Sequence, residues 1–156
     1  MRIHLITVGT RMPEWVNIAY GEFASRMSQE CRLHLIEVAA GKRSKGSKVG
    51  QLKQGEGERL LAALPKDCIV IALDVKGETW STEDLAGRMK NWMQGGRELA
   101  LLVGGPDGLA ETCLARADFR WSLSVLTFPH MLVRIIVAEQ LYRAWTILKG
   151  HPYHRA

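Results

Sequence analysis

The sequence predicts one α/β domain, a mostly parallel sheet with helices on both faces. Three observations carry this. Segments with strand and helix character alternate along the whole chain. Two strand segments, Cys68-Ile69-Val70-Ile71-Ala72-Leu73 and Leu99-Ala100-Leu101-Leu102-Val103, are unbroken apolar runs, the pattern of strands covered on both faces. At 156 residues, 47% hydrophobic and 24% charged, the chain has the size and composition of a single domain, spanning 1–156, with an ordinary core.

The elements follow in order. Ile3 to Val8 is strand-like and ends at Gly9. Pro13 suits the first turn of a helix, where its missing N–H costs nothing. Trp15, Ile18, Ala19, Phe23 and Met27 recur at helical spacing, which predicts a helix from Glu14 to Met27. Leu33 to Val38 is a second strand. Gly41 to Gly50, with Lys42, Arg43, Lys45, Lys48 and three glycines, reads as a mobile loop. Gln51 to Leu64 is a helix weakened by Gly55 and Gly57 and stopped by Pro65. After the Cys68–Leu73 strand, Ser81 and Asp84 form a capping box for a helix with Leu85, Met89, Trp92 and Met93 on its apolar face, stopped by Gly95-Gly96. The strand Leu99–Val103 runs into a glycine turn and a short helix, Leu109 to Ala117. Trp121 to Thr127 is a further strand or extended loop. Pro129 opens a long helix from Met131 to Leu148.

Composition narrows the function classes. Lys plus Arg is 21 against 16 for Asp plus Glu, a net charge of +5, which favours a polyanionic partner such as nucleic acid. No apolar run approaches the ~20 residues of a membrane span. The start of the chain lacks a signal-peptide pattern, so a cytoplasmic location is expected. Cys31, Cys68 and Cys113 are widely separated, without zinc spacing, and read as buried hydrophobes. No metal site is expected.

Several motifs fail on inspection. Gly41-Lys42-Arg43-Ser44-Lys45-Gly46-Ser47-Lys48 has Gly-Ser-Lys where a phosphate-binding loop of nucleotide hydrolases needs Gly-Lys-Ser/Thr. It is either a contact for RNA phosphates or a solvated charge run. Gly104-Gly105-Pro106-Asp107-Gly108 lacks dinucleotide-fingerprint spacing. It either brings backbone close to a ligand or simply turns strand into helix. Ser122, Ser124 and Thr127 sit in no nucleophile elbow. His130, just before a helix, is either structural or a base near neutral pH. The last helix, with Leu132, Ile135, Ile136, Leu141, Tyr142 and Trp145, is apolar over more than one face, which fits a core plus a subunit interface. The tail His151-Pro152-Tyr153-His154-Arg155 is aromatic and cationic together, a composition suited to stacking on an unpaired base beside phosphate. Pro152 argues against helix there.

One set of blocks in order carries more than any single motif. It comprises Val8-Gly9-Thr10, Ala40-Gly41-Lys42-Arg43, Leu73-Asp74, Gly104-Gly105-Pro106-Asp107-Gly108, and Trp121-Ser122-Leu123-Ser124 through Thr127-Phe128-Pro129-His130. It closes with Ala138-Glu139-Gln140-Leu141-Tyr142-Arg143-Ala144-Trp145 and the tail. In these the chain resembles, over nearly its whole length, the small bacterial SPOUT-class methyltransferases that methylate N3 of a pseudouridine in large-subunit (23S) ribosomal RNA. Asp107, where glutamate is expected, and Phe128, where leucine is expected, are the departures.

The resemblance implies a C-terminal trefoil knot, which the ordinary rules of chain connection would not suggest. It implies S-adenosyl-L-methionine as cofactor, a homodimer with its active site near the subunit interface, and the assembled ribosome as partner. Carried over by motif position, Leu73, Gly104, Gly105, Leu123, Ser124, Val125, Leu126, Thr127 and Phe128 would line the cofactor pocket. His130 or His154 would take the N3 proton. Arg134, Arg143 or Arg155 would stabilise the developing anion, Tyr153 would stack on the flipped base, and Tyr142 would position it. Two other classes stay in view: a non-catalytic ribosome-associated factor, which would need no cofactor, and a flavodoxin-like small-molecule binder.

Overall fold

The computed structural model describes residues 1–155. Its strands are β1 (Arg2–Val8), β2 (Arg32–Val38), β3 (Ile69–Thr79), β4 (Leu99–Val103) and β5 (Phe119–Ser122). They form one sheet in the order β2-β1-β4-β3-β5, and every pairing is parallel. The helices are α1 (Glu14–Ala24), α2 (Val49–Ala62), α3 (Thr82–Gly95), α4 (Glu111–Arg116) and α5 (His130–Lys149).

The two-residue period of the strands divides the core. Ile3, Leu5, Ile71, Leu99 and Leu101 point to one face, where they pack with Tyr20, Leu85, Met89, Val137 and Leu141 of α1, α3 and α5. Ile6, Val70, Ala72, Ala100 and Leu102 point to the other, against Leu60 of α2 and Cys113 of α4. The parallel, doubly covered sheet expected from the sequence is therefore observed, with β4 buried along its whole length between β1 and β3. The capping box also forms: the Asp84 N–H donates to Ser81 Oγ, and the Ser81 N–H donates to Asp84 Oδ2, both at 3.0 Å.

The structure corrects or sharpens four local expectations. β3 does not end at Leu73. It continues to Thr79, and both Leu73 and Glu78 pair with Trp121, so the residues between them are extruded from the ladder. Gly77 permits this, because a Cβ there would lie 2.6 Å from the carbonyl carbon of Arg120. Trp80, stacked on Trp121 at 5.1 Å, pins the extension down.

Trp121 to Thr127 is not one strand. β5 stops at Ser122, and the serines divert the backbone: Ser122 Oγ donates to the Ser124 carbonyl at 2.9 Å, and the Leu126 N–H donates to Ser124 Oγ at 3.0 Å. Such local bonds replace the ladder. The first helix ends at Ala24 instead of Met27, and it buries Val16 and Tyr20, leaving Trp15 and Ile18 52% and 64% exposed. The tail is not irregular: Pro152–His154 form a single 3-10 turn, and the Tyr153 N–H donates to His151 Nδ1.

Candidate functional site

Beyond the carboxyl ends of β4 and β5, and beside the point where β3 leaves the ladder, lies a cavity of about 590 Å³. Open parallel sheets bind ligands at this position. Leu73, Asp74 and Val75 reach it from the point where β3 leaves the ladder, so the bulge that Gly77 allows is what exposes them. Val103 and the turn Gly104–Gly108 form a second wall. Trp121 to Ser124, Leu126 to His130, and Val133 form the third.

The turn is glycine-rich because backbone packs on backbone. The Gly108 N–H donates to the Gly105 carbonyl at 3.0 Å, and Gly108 has φ 83°. A Cβ on Gly104 would sit 2.5 Å from the carbonyl carbon of Gly108. At Gly104, Gly105 and Gly108 the turn thus presents main-chain groups to the cavity. Apolar walls with a few convergent polar groups (Asp74, Asp107, Ser124, Thr127 and His130) are the usual make-up of a small-molecule site.

Of the nine residues expected to hold a cofactor, Leu73, Gly104, Gly105, Leu123, Ser124, Leu126, Thr127 and Phe128 line this cavity. Val125 does not. It is 95% exposed, because the turn made by Ser124 swings it outward.

Among the expected catalytic residues only His130 lines the cavity. Its ring packs toward Gly9, and Nδ1 is buried without a partner. Burial, then the positive charges of Arg134 and Arg43, push its pKa below the ordinary histidine value. The imidazole is therefore neutral at neutral pH.

Arg134 is 1% exposed and turned away from the cavity lining. Nη1 donates to Glu37 Oε2 at 2.8 Å, and Nη2 to Thr7 Oγ1 at 3.0 Å. Tyr142, Tyr153, His154, Arg155 and Arg143 also lie outside the lining. Tyr153 folds back on Tyr142, with ring centroids 4.7 Å apart, and donates from its hydroxyl to Glu139 Oε1 at 3.0 Å. Arg143 pairs with the same carboxylate and lies over the Tyr153 ring. Burial and the Glu139 carboxylate raise the Tyr153 pKa, so the phenol stays protonated.

The basic loop is less mobile than its composition suggests. Glu56 of α2, 2% exposed, accepts from the Gly41 N–H at 2.9 Å and from Arg43 Nη1 at 3.0 Å. Arg43 also donates to Asp107 Oδ2, from Nη2 at 2.8 Å and Nε at 3.1 Å. Lys42, Lys45 and Lys48 remain exposed. Glu56 is the residue that the sequence does not single out, because its partners Gly41 and Arg43 lie outside its own helix. Among the described residues, no group of histidines, cysteines and carboxylates is placed to hold a metal, and no helix is long and apolar enough to cross a membrane.

Comparison with known proteins places this geometry. Residues 1–154 match the family described as "Predicted SPOUT methyltransferase". The chain is 60% identical over 155 residues to the ribosomal RNA large subunit methyltransferase H of Thioalkalivibrio sulfidiphilus, covering 99% of each chain. It is 56% identical over 156 residues to the protein of the same name from Alkalilimnicola ehrlichii, covering 100% of each. Among solved structures, a probable methylase family protein from Haemophilus influenzae aligns with a TM-score of 0.53 at 14% identity, over 99% of this chain and 70% of that one. The SpoU methyltransferase AviRb from Streptomyces viridochromogenes aligns with a TM-score of 0.50 at 11% identity, over 96% and 61%. These two likenesses concern the fold.

Proposed function

The chain belongs to the SPOUT methyltransferase family, and on that premise we propose that it transfers a methyl group from S-adenosyl-L-methionine to N3 of a pseudouridine in large-subunit ribosomal RNA on the assembled ribosome. The observation that carries this is the cavity at the glycine turn, with its apolar walls and exposed main chain. Its relatives' names supply the RNA.

The residues present suit the cofactor. Leu73, Leu123 and Phe128 offer apolar surface to an adenine ring, and the Gly104–Gly105 main chain can approach it without side chains in the way. Asp74 places negative charge at the cavity, which favours a ligand with a net positive charge. When bound, S-adenosyl-L-methionine supplies an electrophilic methyl group on its sulfonium.

The protein's own contribution is position and proton removal. Holding N3 in line with the methyl group supplies up to ~7–11 kcal/mol in well-oriented systems. As the N–C bond forms and the S–C bond breaks, the N3 proton must leave. Neutral His130 at the cavity is one acceptor, and His154 is the other candidate. General base catalysis adds ~10²–10⁴-fold. Lys42, Lys45 and Lys48 would meet RNA phosphates, which makes binding fall with salt.

We further propose a homodimer. Tyr142 lies more than three turns along α5 from His130, about 18 Å at ~1.5 Å per residue. Tyr153 packs on it, and Tyr153, His154 and Arg155 all lie outside the cavity. If they act on the base, they reach the cavity of a second copy. Exposed Trp15, Ile18, Val125 and Leu126 are apolar surface consistent with such a contact. The last helix and β5 lie in the C-terminal region where the family's trefoil knot is expected.

The test is transfer of labelled methyl from S-adenosyl-L-methionine to ribosomes lacking the modification, with free large-subunit RNA alongside. Label on a pseudouridine of the ribosome is the expected result. No label on either substrate from a folded protein that does not bind S-adenosylhomocysteine would favour a non-catalytic ribosome-associated factor.

A further inference from the structure

Arg43 is the one cation of the basic loop whose charge is spent internally. Its five recorded hydrogen bonds go to Glu56, to Asp107 and to the Gly41 carbonyl. Glu56 anchors the loop from α2, and its carboxylate also packs under the cofactor turn, where a Cβ on Gly105 would lie 3.2 Å from Oε1. Asp107 belongs to that turn and lines the cavity. The guanidinium fork therefore ties the loop with the exposed Lys42, Lys45 and Lys48 to the wall of the cavity. No other described contact runs between the Gly41–Lys48 loop and the Gly104–Gly108 turn by hydrogen bond.

Competition from a phosphate will not draw Arg43 away easily. Glu56 is 2% exposed, and losing Arg43 would leave its charge buried without a counter-charge. Phosphates are met instead by the free lysines beside it. A polyanion on those lysines then holds the loop, the loop holds Arg43, and Arg43 holds Asp107. A ligand that holds one end of the bridge therefore restrains the segment that binds at the other end.

We propose that Arg43 is a positioning residue that couples the two sites: engagement of RNA by the basic loop tightens cofactor binding, and cofactor binding tightens RNA engagement, through the Glu56–Arg43–Asp107 bridge. This rests on the methyltransferase reading above. The coupling extends that reading by making the loop part of the cofactor site's energetics.

The experiment measures the dissociation constant of labelled S-adenosylhomocysteine with and without saturating ribosomes, and the dissociation constant for ribosomes with and without saturating S-adenosylhomocysteine. In the wild type both ratios are expected to be equal and about fivefold or more, since coupling is reciprocal. Asp107→Ala removes the acceptor and cuts the bridge while leaving Arg43 on Glu56, and Arg43→Lys keeps the charge but loses the fork. Both are expected to bring the ratio to about one, whatever they do to either affinity alone. A double variant, Asp107→Ala with Arg43→Lys, should lower the ratio no further. Lys45→Gln should weaken ribosome binding but keep the ratio. A wild-type ratio of one, or a ratio retained in Asp107→Ala, overturns the coupling. Failure of the wild type to bind S-adenosylhomocysteine at all overturns the methyltransferase reading instead.

Discussion

Arg134 Nη1 lies 2.8 Å from Glu37 Oε2, and Arg134 itself is 1% exposed, so α5 is fastened to the end of edge strand β2 by a charge that water does not reach. Thr7 Oγ1 and the Gly9 carbonyl accept from the same guanidinium, which brings β1 into the joint. Glu37→Gln would leave that cation without its counter-charge. Removing one partner of a buried pair costs about 3–5 kcal/mol. Because the Glu37 side chain is 29% exposed, a loss near the lower end, about 3 kcal/mol, is expected in urea unfolding. Arg134→Met with Glu37→Gln should recover part of it. A Glu37→Gln protein as stable as the wild type would show that the pair does not hold the helix.

Gly104 and Gly87 make a matched contrast. A Cβ on Gly104 meets backbone at 2.5 Å, whereas one on Gly87, within α3, meets nothing within 4 Å. Gly104→Ala should move the turn and weaken S-adenosylhomocysteine binding by tenfold or more, about 1.4 kcal/mol. Gly87→Ala should stabilise the fold by about 0.5–1 kcal/mol and leave binding alone. Titration calorimetry with thermal unfolding separates the two effects. Equal binding by both variants would show that the turn's backbone is not used.

The fold was legible because apolar runs and caps are local signals. Cys68–Leu73 and Leu99–Val103 announce doubly covered strands, and Ser81 with Asp84 announces a helix start. Parallel-sheet physics points to the Gly104 turn and the Leu73–Asp74 boundary as the ligand-binding end, but the rest of the lining was legible only through the family resemblance, since the spacing at Gly104–Gly108 alone could not distinguish a binding turn from a plain one. What stayed hidden depends on packing at long range. That Val16 and Tyr20 rather than Trp15 and Ile18 face the sheet is decided by how α1 docks. Arg43 meets Glu56 and Asp107 from separate parts of the chain, and no periodicity records such a meeting. The extrusion of β3 after Leu73 depends on Trp80 finding Trp121.

The depressed His130 pKa makes stability depend on pH. Its causes are burial first, then Arg134 and Arg43. The unfolded chain holds its histidine proton below about 6.5, while the folded ring has given it up at lower pH still. Between those values the unfolded state binds more protons, so stability is full above about 6.5 and falls as pH drops through the window. His34 is shifted in the same direction, chiefly by burial, so the diagnostic comparison is between variants. His130→Gln should lose less of its melting temperature between about pH 7.5 and about pH 5 than the wild type does. Parallel losses in the two proteins would place the acid sensitivity elsewhere.

In the homodimer proposed above, mixing two variants distinguishes whether the tail works on its own cavity or on its partner's. Take Gly104→Ala, damaged at the glycine turn and assayed with too little S-adenosyl-L-methionine to load it, and the double variant Tyr153→Ala with His154→Ala, damaged at the tail, each without activity alone under those conditions. Tyr153 sits beside Tyr142, well along α5 from His130 at the cavity. If each site joins one copy's cavity to the other copy's tail, a mixed dimer has one site with both defects and one with none. Random exchange of equal amounts makes half the dimers mixed, so methyl transfer should recover to about a quarter of the wild-type rate. If each tail served its own cavity, both sites of a mixed dimer would carry a defect and mixing would restore nothing. The recovered rate therefore reads the direction of the tail directly, because the two lesions lie on different elements and only exchange of copies can unite the intact ones.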